Sequence, residues 1–289
     1  MEEILAKLRK YEIKIRKVIN SQMQGDFHSI FKGSGLEFSD VRDYLYGDDV
    51  RRIDWNVSAK GQGTFVKEFK EEKEQTVFFL IDVSASQDLG ANATKLRTAQ
   101  EICGVLAISA AKENNDIGLI CFSDQKERYM KPQKGQKYAY EMILNVFKLE
   151  PKSLKTDISK MILYTLQTVK RKSIIILLSD FIDENYELHL KALSKKHDLV
   201  IIQLYDKKEI SLPRLGIIPV YDKETRKTFW LNTSSKEFRK FQKERFEKTQ
   251  TLLENIALKS NANYLSINTD EDFVPQLIDL FRKRNKKIK

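Results

Sequence analysis

The run Thr76-Val-Phe-Phe-Leu-Ile is apolar and β-favouring without a break, and it ends in Asp82-Val-Ser84-Ala-Ser86. A continuous apolar run of this length reads as a strand buried on both faces, the central strand of a parallel sheet. Open α/β sheets bind ligands outside the carboxyl ends of their strands. Asp82, Ser84 and Ser86 leave that edge together and offer one carboxylate and two neutral hydroxyls to a common point. Hard oxygen ligands of low total charge suit Mg²⁺ or Mn²⁺, with coordination positions left for water or a partner's group. The same residues also fit a strand followed by an ordinary Ser/Asp turn.

A chain of 289 residues has room for one large or two modest domains with a proper core. The net charge of +10 and isoelectric point near 9.3 favour acidic partners, nucleic acid or an anionic membrane. The surplus is diluted, however, because 41 acidic residues are interspersed with 51 basic ones. Only the tail from Arg282 to Lys289 is a concentrated basic run, and a frayed helix end accounts for it. Cys103 and Cys121 sit in apolar surroundings, as expected of buried thiols in a reducing cytoplasm. The start lacks the basic and apolar regions of a signal peptide, and no run approaches a membrane span, so a cytoplasmic location is expected.

Taken in order, residues 2–22 place Ile4, Leu5, Leu8, Tyr11, Ile15, Val18 and Ile19 at helical spacing, an amphipathic helix assigned to a segment 1–24. Residues 25–35 are a glycine loop that fails as a dinucleotide fingerprint. Residues 36–56 mix acidic, basic and aromatic groups too closely for a plain amphipathic surface. Arg42, Arg51 and Arg52 among Asp40, Asp43, Asp48 and Asp54 suggest a buried ion-pair lattice, with a docking surface as the alternative. Asp48 or Asp49 is placed to cap a short helix, and 64–70 alternate like an edge or hairpin strand. From residue 76 to 289, strands alternate with helices, which gives a mostly parallel α/β sheet flanked by helices. Strands are expected at 116–122, 127–131, 173–180, 198–205 and 264–267. Helices are expected at 95–112, 135–149, 156–171, 184–196, 234–260 and 273–284, and a hairpin-like insertion at 209–232.

Two strand-end aspartates, Asp82 and Asp180, thus share an edge, with Lys155-Thr156-Asp157 at a helix start between them. This order resembles the von Willebrand factor A fold with its metal-ion-dependent adhesion site, in which the matching residues here would be Asp82, Ser84, Ser86 and Thr156, with Asp180 direct or through water. The stretch Gly33-x-Gly35-x-Glu37-Phe38-x-Asp40-x-Arg42-x-Tyr44, followed by Gly47-Asp48-Asp49-x-Arg51-x-Ile53-Asp54-Trp55, is similar to the signature of the domain-of-unknown-function 58 (DUF58) family. Leu212-Pro213-Arg-Leu-Gly216 with Tyr221-Asp222-Lys-Glu224-Thr225 is similar to that family's insertion. The resemblance implies a 25–75 segment packed on a von Willebrand A-like domain, and a MoxR-type AAA+ ATPase, or its client, as partner. Lys155 stands where a glycine commonly precedes the threonine, and the membrane spans of many members are missing.

The expected function is therefore a non-catalytic adaptor that binds a partner carboxylate through a Mg²⁺-occupied site. Glu37, Asp40, Arg42, Asp48, Asp49, Arg51, Asp54 and Trp55 are candidates for the rest of the partner surface. A metal-dependent hydrolase or nuclease is the alternative. It lacks a second carboxylate at Ser84 and a general acid, and no phosphate-binding Gly-x-x-x-x-Gly-Lys-Ser/Thr loop occurs. A basic nucleic-acid-binding module is the third reading, weakened because the aromatic residues fall mainly in core patterns. His28, His189 and His197 are scattered, and neither they nor the cysteines show zinc spacing.

Overall fold

The computed structural model describes residues 36–61, 63–71, 75–88, 94–210, 213–222 and 227–288, together with Glu3, Ala6, Arg9, Lys10 and Ile13, which are helical. The rest of the amphipathic segment, the glycine loop at 25–35 and the side chain of Glu37 lie outside the described residues. Arg9 Nε donates to the Tyr140 hydroxyl at 3.0 Å.

Six strands form the main sheet: β3 (Thr76–Asp82), β4 (Asp116–Phe122), β5 (Lys126–Gln133), β6 (Ile174–Ser179), β7 (Asp198–Tyr205) and β10 (Asn263–Asn268). Their spatial order is β10-β7-β6-β3-β4-β5, with every pair parallel except β4 with β5. Helices α1 (Lys95–Lys112), α2 (Gln136–Phe147) and α6 (Phe273–Ile288) cover one face. Helices α3 (Ile158–Thr168), α4 (Glu187–Lys196) and α5 (Lys236–Lys259) cover the other. The layering explains the unbroken apolar run. Val77, Phe79 and Ile81 point into the first layer and Phe78 and Leu80 into the second, so a strand with period-two side chains has no polar face to spare.

Two small antiparallel sheets stand apart from this core. One pairs β1 (Leu36–Asp43) with β2 (Phe65–Glu71), and the other pairs β8 (Ile217–Asp222) with β9 (Lys227–Asn232). The second is the hairpin-like insertion expected at 209–232, preceded by a single helical turn at Lys207–Ile210. The strand over 36–43 escapes the pattern reading, because charges on successive residues mask its alternation. Cys103 and Cys121 are both buried free thiols within the first layer. Among the described residues no helix is long and apolar enough to cross a membrane.

Gly118 on β4 lies opposite Phe78 of β3. A Cβ built there would lie 2.5 Å from Phe78 Cε1 and 2.8 Å from Cδ1, and Phe78 is itself buried. Gly118→Ala is expected to destabilise the fold by about 1–3 kcal/mol through overpacking, measured as a shift in the urea midpoint. An unchanged midpoint would mean that the ring has room to move.

Candidate functional site

The sheet grows outward from β3 toward β4 on one side and from β6 toward β7 on the other. A crevice opens outside the carboxyl ends at such a switch point. Asp82 ends β3, and Asp180 follows β6, its hydrogen-bonded neighbour. Asp82 is fully buried; its Oδ1 accepts from Ser84 N at 3.0 Å and its Oδ2 from Ser179 Oγ at 2.7 Å. Gln87 Nε2 reaches Oδ2 at a long 3.4 Å. Among the described residues no cation pairs with Asp82. Burial first, then the charge of Asp180, push its carboxyl up to about 7, against the pull of the bonds from Ser84 and Ser179. Ser84 comes just before a tight 3-10 turn at Ala85–Asp88 that holds Ser86, and their hydroxyls bond each other at 3.1 Å.

The loop that carries Thr156 is pinned at both ends to this crevice. Ala85 N donates to Leu154 O at 3.0 Å, and Ile158 N donates to Asp183 Oδ2 at 2.8 Å, three residues past Asp180. Glu127 fixes the approach: its Oε2 accepts from Lys152 N at 2.9 Å, and its Oε1 accepts from Ser153 N at 3.0 Å and Ser123 Oγ at 2.7 Å. Burial works against the Glu127 charge, yet these donors hold its carboxyl below the ordinary glutamate value. Thr156 Oγ1 is shielded from solvent and has no hydrogen-bond partner among the described residues. Lys155 points outward, exposed, so its departure from glycine does not fill the crevice. Asp157 caps α3 through Lys160 N at 2.7 Å.

Asp180 is held by groups that the sequence reading did not identify. Its Oδ2 accepts from Lys95 Nζ at 2.7 Å and its Oδ1 from Ile182 N at 3.1 Å. The backbone turns at Phe181, whose φ of +58° is a strained setting for a bulky side chain. Lys95, fully buried, also lies 2.8 and 3.0 Å from the two oxygens of Glu209. Burial pulls its pKa down, and the carboxylates of Asp180 and Glu209 outweigh that and raise it. Lys95 opens α1, where a positive charge opposes the helix dipole. That local mismatch was the one signal in the sequence that could have marked it.

The residues present fit a divalent ion of the oxygen-loving class. They offer one carboxylate without a cationic partner, two adjacent hydroxyls and an unsatisfied hydroxyl on a loop anchored beside them. Among the described residues no group of three or more His, Cys, Asp or Glu side chains is placed to hold a metal, so any ion here must rest largely on hydroxyls.

The expected partner residues lie outside the main sheet, Asp40 and Arg42 on β1 and Asp48, Asp49, Arg51, Asp54 and Trp55 in the connection to β2. Arg42 and Asp48 form a two-pronged pair at 2.7 Å on each prong, with Asp48 also accepting from Leu45 N at 2.9 Å. The Arg42 bond, then the Leu45 N–H, bring the Asp48 carboxyl down to about 2. Asp49 caps the 3-10 turn at Val50–Arg52, and Asp54 caps Trp55–Ser58 while lying 3.6 Å from Lys67. Asp40, Arg51 and Arg52 are exposed. The buried lattice expected there is therefore a surface loop with one strong ion pair, its aspartates spent on capping rather than on arginines. The loop instead presents apolar groups to solvent: Tyr46 is fully exposed, Trp55 is 69% exposed and Leu45 64%.

The family described as "Protein of unknown function DUF58" matches residues 40–251, well over half of the chain's 289 residues. "Uncharacterized protein Rv1480" of Mycobacterium tuberculosis (strain ATCC 25618 / H37Rv) is 23% identical over 227 residues, 77% of this chain and 72% of that one. Among solved structures, an aerotolerance-related membrane protein from Bacteroides fragilis NCTC 9343, carrying multiple mutations to serines, is similar at 13% identity and a TM-score of 0.50. It covers 74% of this chain and 99% of that one. The SpRpn10 VWA domain is similar at 12% identity and a TM-score of 0.40, over 72% of this chain and 94% of that one. The architecture is a mostly parallel six-stranded sheet between two helical layers.

A raised carboxyl pKa means that the folded protein holds a proton the unfolded chain has released. Between the ordinary value near 4 and about 7 the folded state binds the extra proton, so stability falls as pH rises through that window. In metal-free buffer, melting temperature is expected to drop from pH 5 to pH 8 in the wild type and to drop less in Asp82→Asn. Parallel profiles for the two proteins would show that Asp82 titrates normally.

Proposed function

We propose, from the premise that this chain belongs to the DUF58 family, that it is a non-catalytic, metal-dependent protein-interaction module. Mg²⁺ or Mn²⁺ would be held by Asp82, Ser84, Ser86 and Thr156, with Asp180 behind them. The ion would supply an electrophilic open position for the carboxylate of a partner, a MoxR-type AAA+ ATPase or the client of one. The observation that carries this reading is the Thr156 hydroxyl. It is a buried polar atom without a hydrogen-bond partner among the described residues, on a loop anchored beside Asp82's turn. Buried hydroxyls are rarely left unsatisfied without a reason, and a ligand that arrives from outside is one such reason.

The chain's own groups divide the remaining work. Ser179 and the Ser84 N–H orient the Asp82 carboxylate, and Glu127 holds the threonine loop by its backbone. One carboxylate contact is far too small for a stable complex, which needs an interface of about 1,200–2,000 Å². Two exposed apolar surfaces are available to enlarge it. One is the 45–55 loop with Leu45, Tyr46, Val50 and Trp55; the other is the β8–β9 hairpin with Ile217, Tyr221 and Trp230. A two-stranded hairpin that turns a tryptophan 70% exposed toward water is a surface that gains from being covered.

Thr156→Val tests the reading by an opposition of signs. Deleting an unsatisfied hydroxyl should raise the stability of the metal-free protein by about 1 kcal/mol. The same change should weaken Mn²⁺ binding, read by calorimetry, about tenfold or more, and Asp82→Ala should abolish it with the fold intact. A variant that binds Mn²⁺ as tightly as the wild type would remove Thr156 from the site.

The purified protein is expected to turn over no phosphate ester, nucleic acid or ATP. It should bind the purified MoxR-type ATPase more weakly in chelator, in Asp82→Ala and in Trp230→Ala. Turnover that disappears with Asp82→Ala would promote the hydrolase alternative instead.

A further inference from the structure

We infer that Lys95 is the resident counter-ion of Asp180 and Glu209 and a positioning residue that sets how tightly a divalent cation binds beside Asp82. It does so by keeping Asp180 out of direct contact with the ion. The inference rests on the metal-binding reading above and assigns a role to a residue outside the expected ligand set.

The geometry is specific. Lys95 has no exposed surface, and its ammonium stands 2.7 Å from Asp180 and 2.8 and 3.0 Å from the oxygens of Glu209. Both oxygens of Asp180 are thereby engaged, one by Lys95 and the other by the Ile182 N–H at 3.1 Å. Asp82, by contrast, meets only neutral donors among the described residues: Ser84 N, Ser179 Oγ and Gln87 Nε2. The two aspartates of the crevice are therefore not equivalent. Asp82 is the carboxylate available to an incoming cation, and Asp180 already has one. A buried lysine is costly to desolvate and persists where carboxylates surround it, so the ammonium is fixed rather than swinging. Its attachment adds to this, since α1 is capped just before it by Thr94, which accepts from Arg97 N at 3.1 Å.

The charge balance is equally specific. With Asp82 ionised, Asp82, Asp180 and Glu209 carry three negative charges and Lys95 one positive, which leaves a deficit that one divalent ion neutralises. Like-charge repulsion from the ammonium weakens the ion's hold, and an Asp180 committed to Lys95 can serve it only through water. Glu209 extends the arrangement further. It belongs to the helical turn Lys207–Ile210 that leads into the β8–β9 insertion, so one ammonium ties the strand end, the start of α1 and the approach to the hairpin together.

The decisive comparison is the double variant Lys95→Met with Glu209→Gln. It removes one charge of each sign, keeps the net charge of the cluster and releases Asp180 from its ion pair. Mn²⁺ affinity is to be measured by calorimetry, and the number of Mn²⁺-bound waters by pulsed electron paramagnetic resonance, on the full chain. We expect the double variant to bind at least about tenfold tighter and to hold one water fewer, while Lys95→Arg stays near the wild type. Thermal melts report whether each variant is folded, and a purely structural lysine would shift those melts without changing the affinity or the water count. Equal affinities in wild type and double variant, with binding still abolished by Asp82→Ala, would overturn the inference and leave the metal reading standing. Binding by the double variant alone would support it in its strongest form, with Lys95 excluding the ion outright. Binding by neither would overturn both.

Discussion

Everything at the crevice follows from the burial of β3 on both faces. A strand with helices above and below cannot hydrate what it carries at its end, so Asp82 arrives at the switch point dry. Its charge must then be met by the protein, by a proton or by something from outside. The protein meets it only halfway, with a serine hydroxyl and a backbone N–H. Burial and the charge of Asp180 therefore prevail and raise the Asp82 pKa to about 7, a penalty that the proposed cation would relieve. The neighbouring strand end is handled in the opposite way. Asp180 receives a full ammonium through a contact 85 residues distant in the chain.

The difference between those two aspartates marks the limit of what the sequence made legible. The strand and its aspartate could be read because burial on both faces writes itself locally, as consecutive apolar residues ended by a polar one. Strand alternation with helices gave the sheet for the same reason, and the hairpin announced itself through Pro213, Gly216 and Pro219. Lys95, Glu209 and Glu127 could not be read in this way. Their roles are made by chain segments that meet only in the folded molecule, Lys95 and Glu209 being 114 residues apart. Phe181 was hidden for a different reason: its left-handed backbone is imposed by the turn after β6, and nothing in its own chemistry asks for it.

The segment between β1 and β2 shows how composition misleads. Alternating aspartates and arginines read naturally as ion pairs, but short aspartate side chains reach neighbouring N–H groups more readily than distant guanidinium groups. Asp49 and Asp54 therefore start helical turns, and among the described residues only Asp48 finds an arginine. The exposed aromatic and aliphatic groups left between them are what the charged residues display.

The two cysteines carry a consequence of their own. Cys103 on α1 and Cys121 on β4 face the same apolar layer, where burial raises one thiol well above its ordinary pKa and the other to about 12. Neither forms a thiolate at physiological pH, and neither is accessible while the layer is closed. The molecule thus contains its own clock for opening. An alkylating reagent reaches these sulfurs only when α1 lifts from the sheet, so labelling rates report the breathing of the element that also carries Lys95.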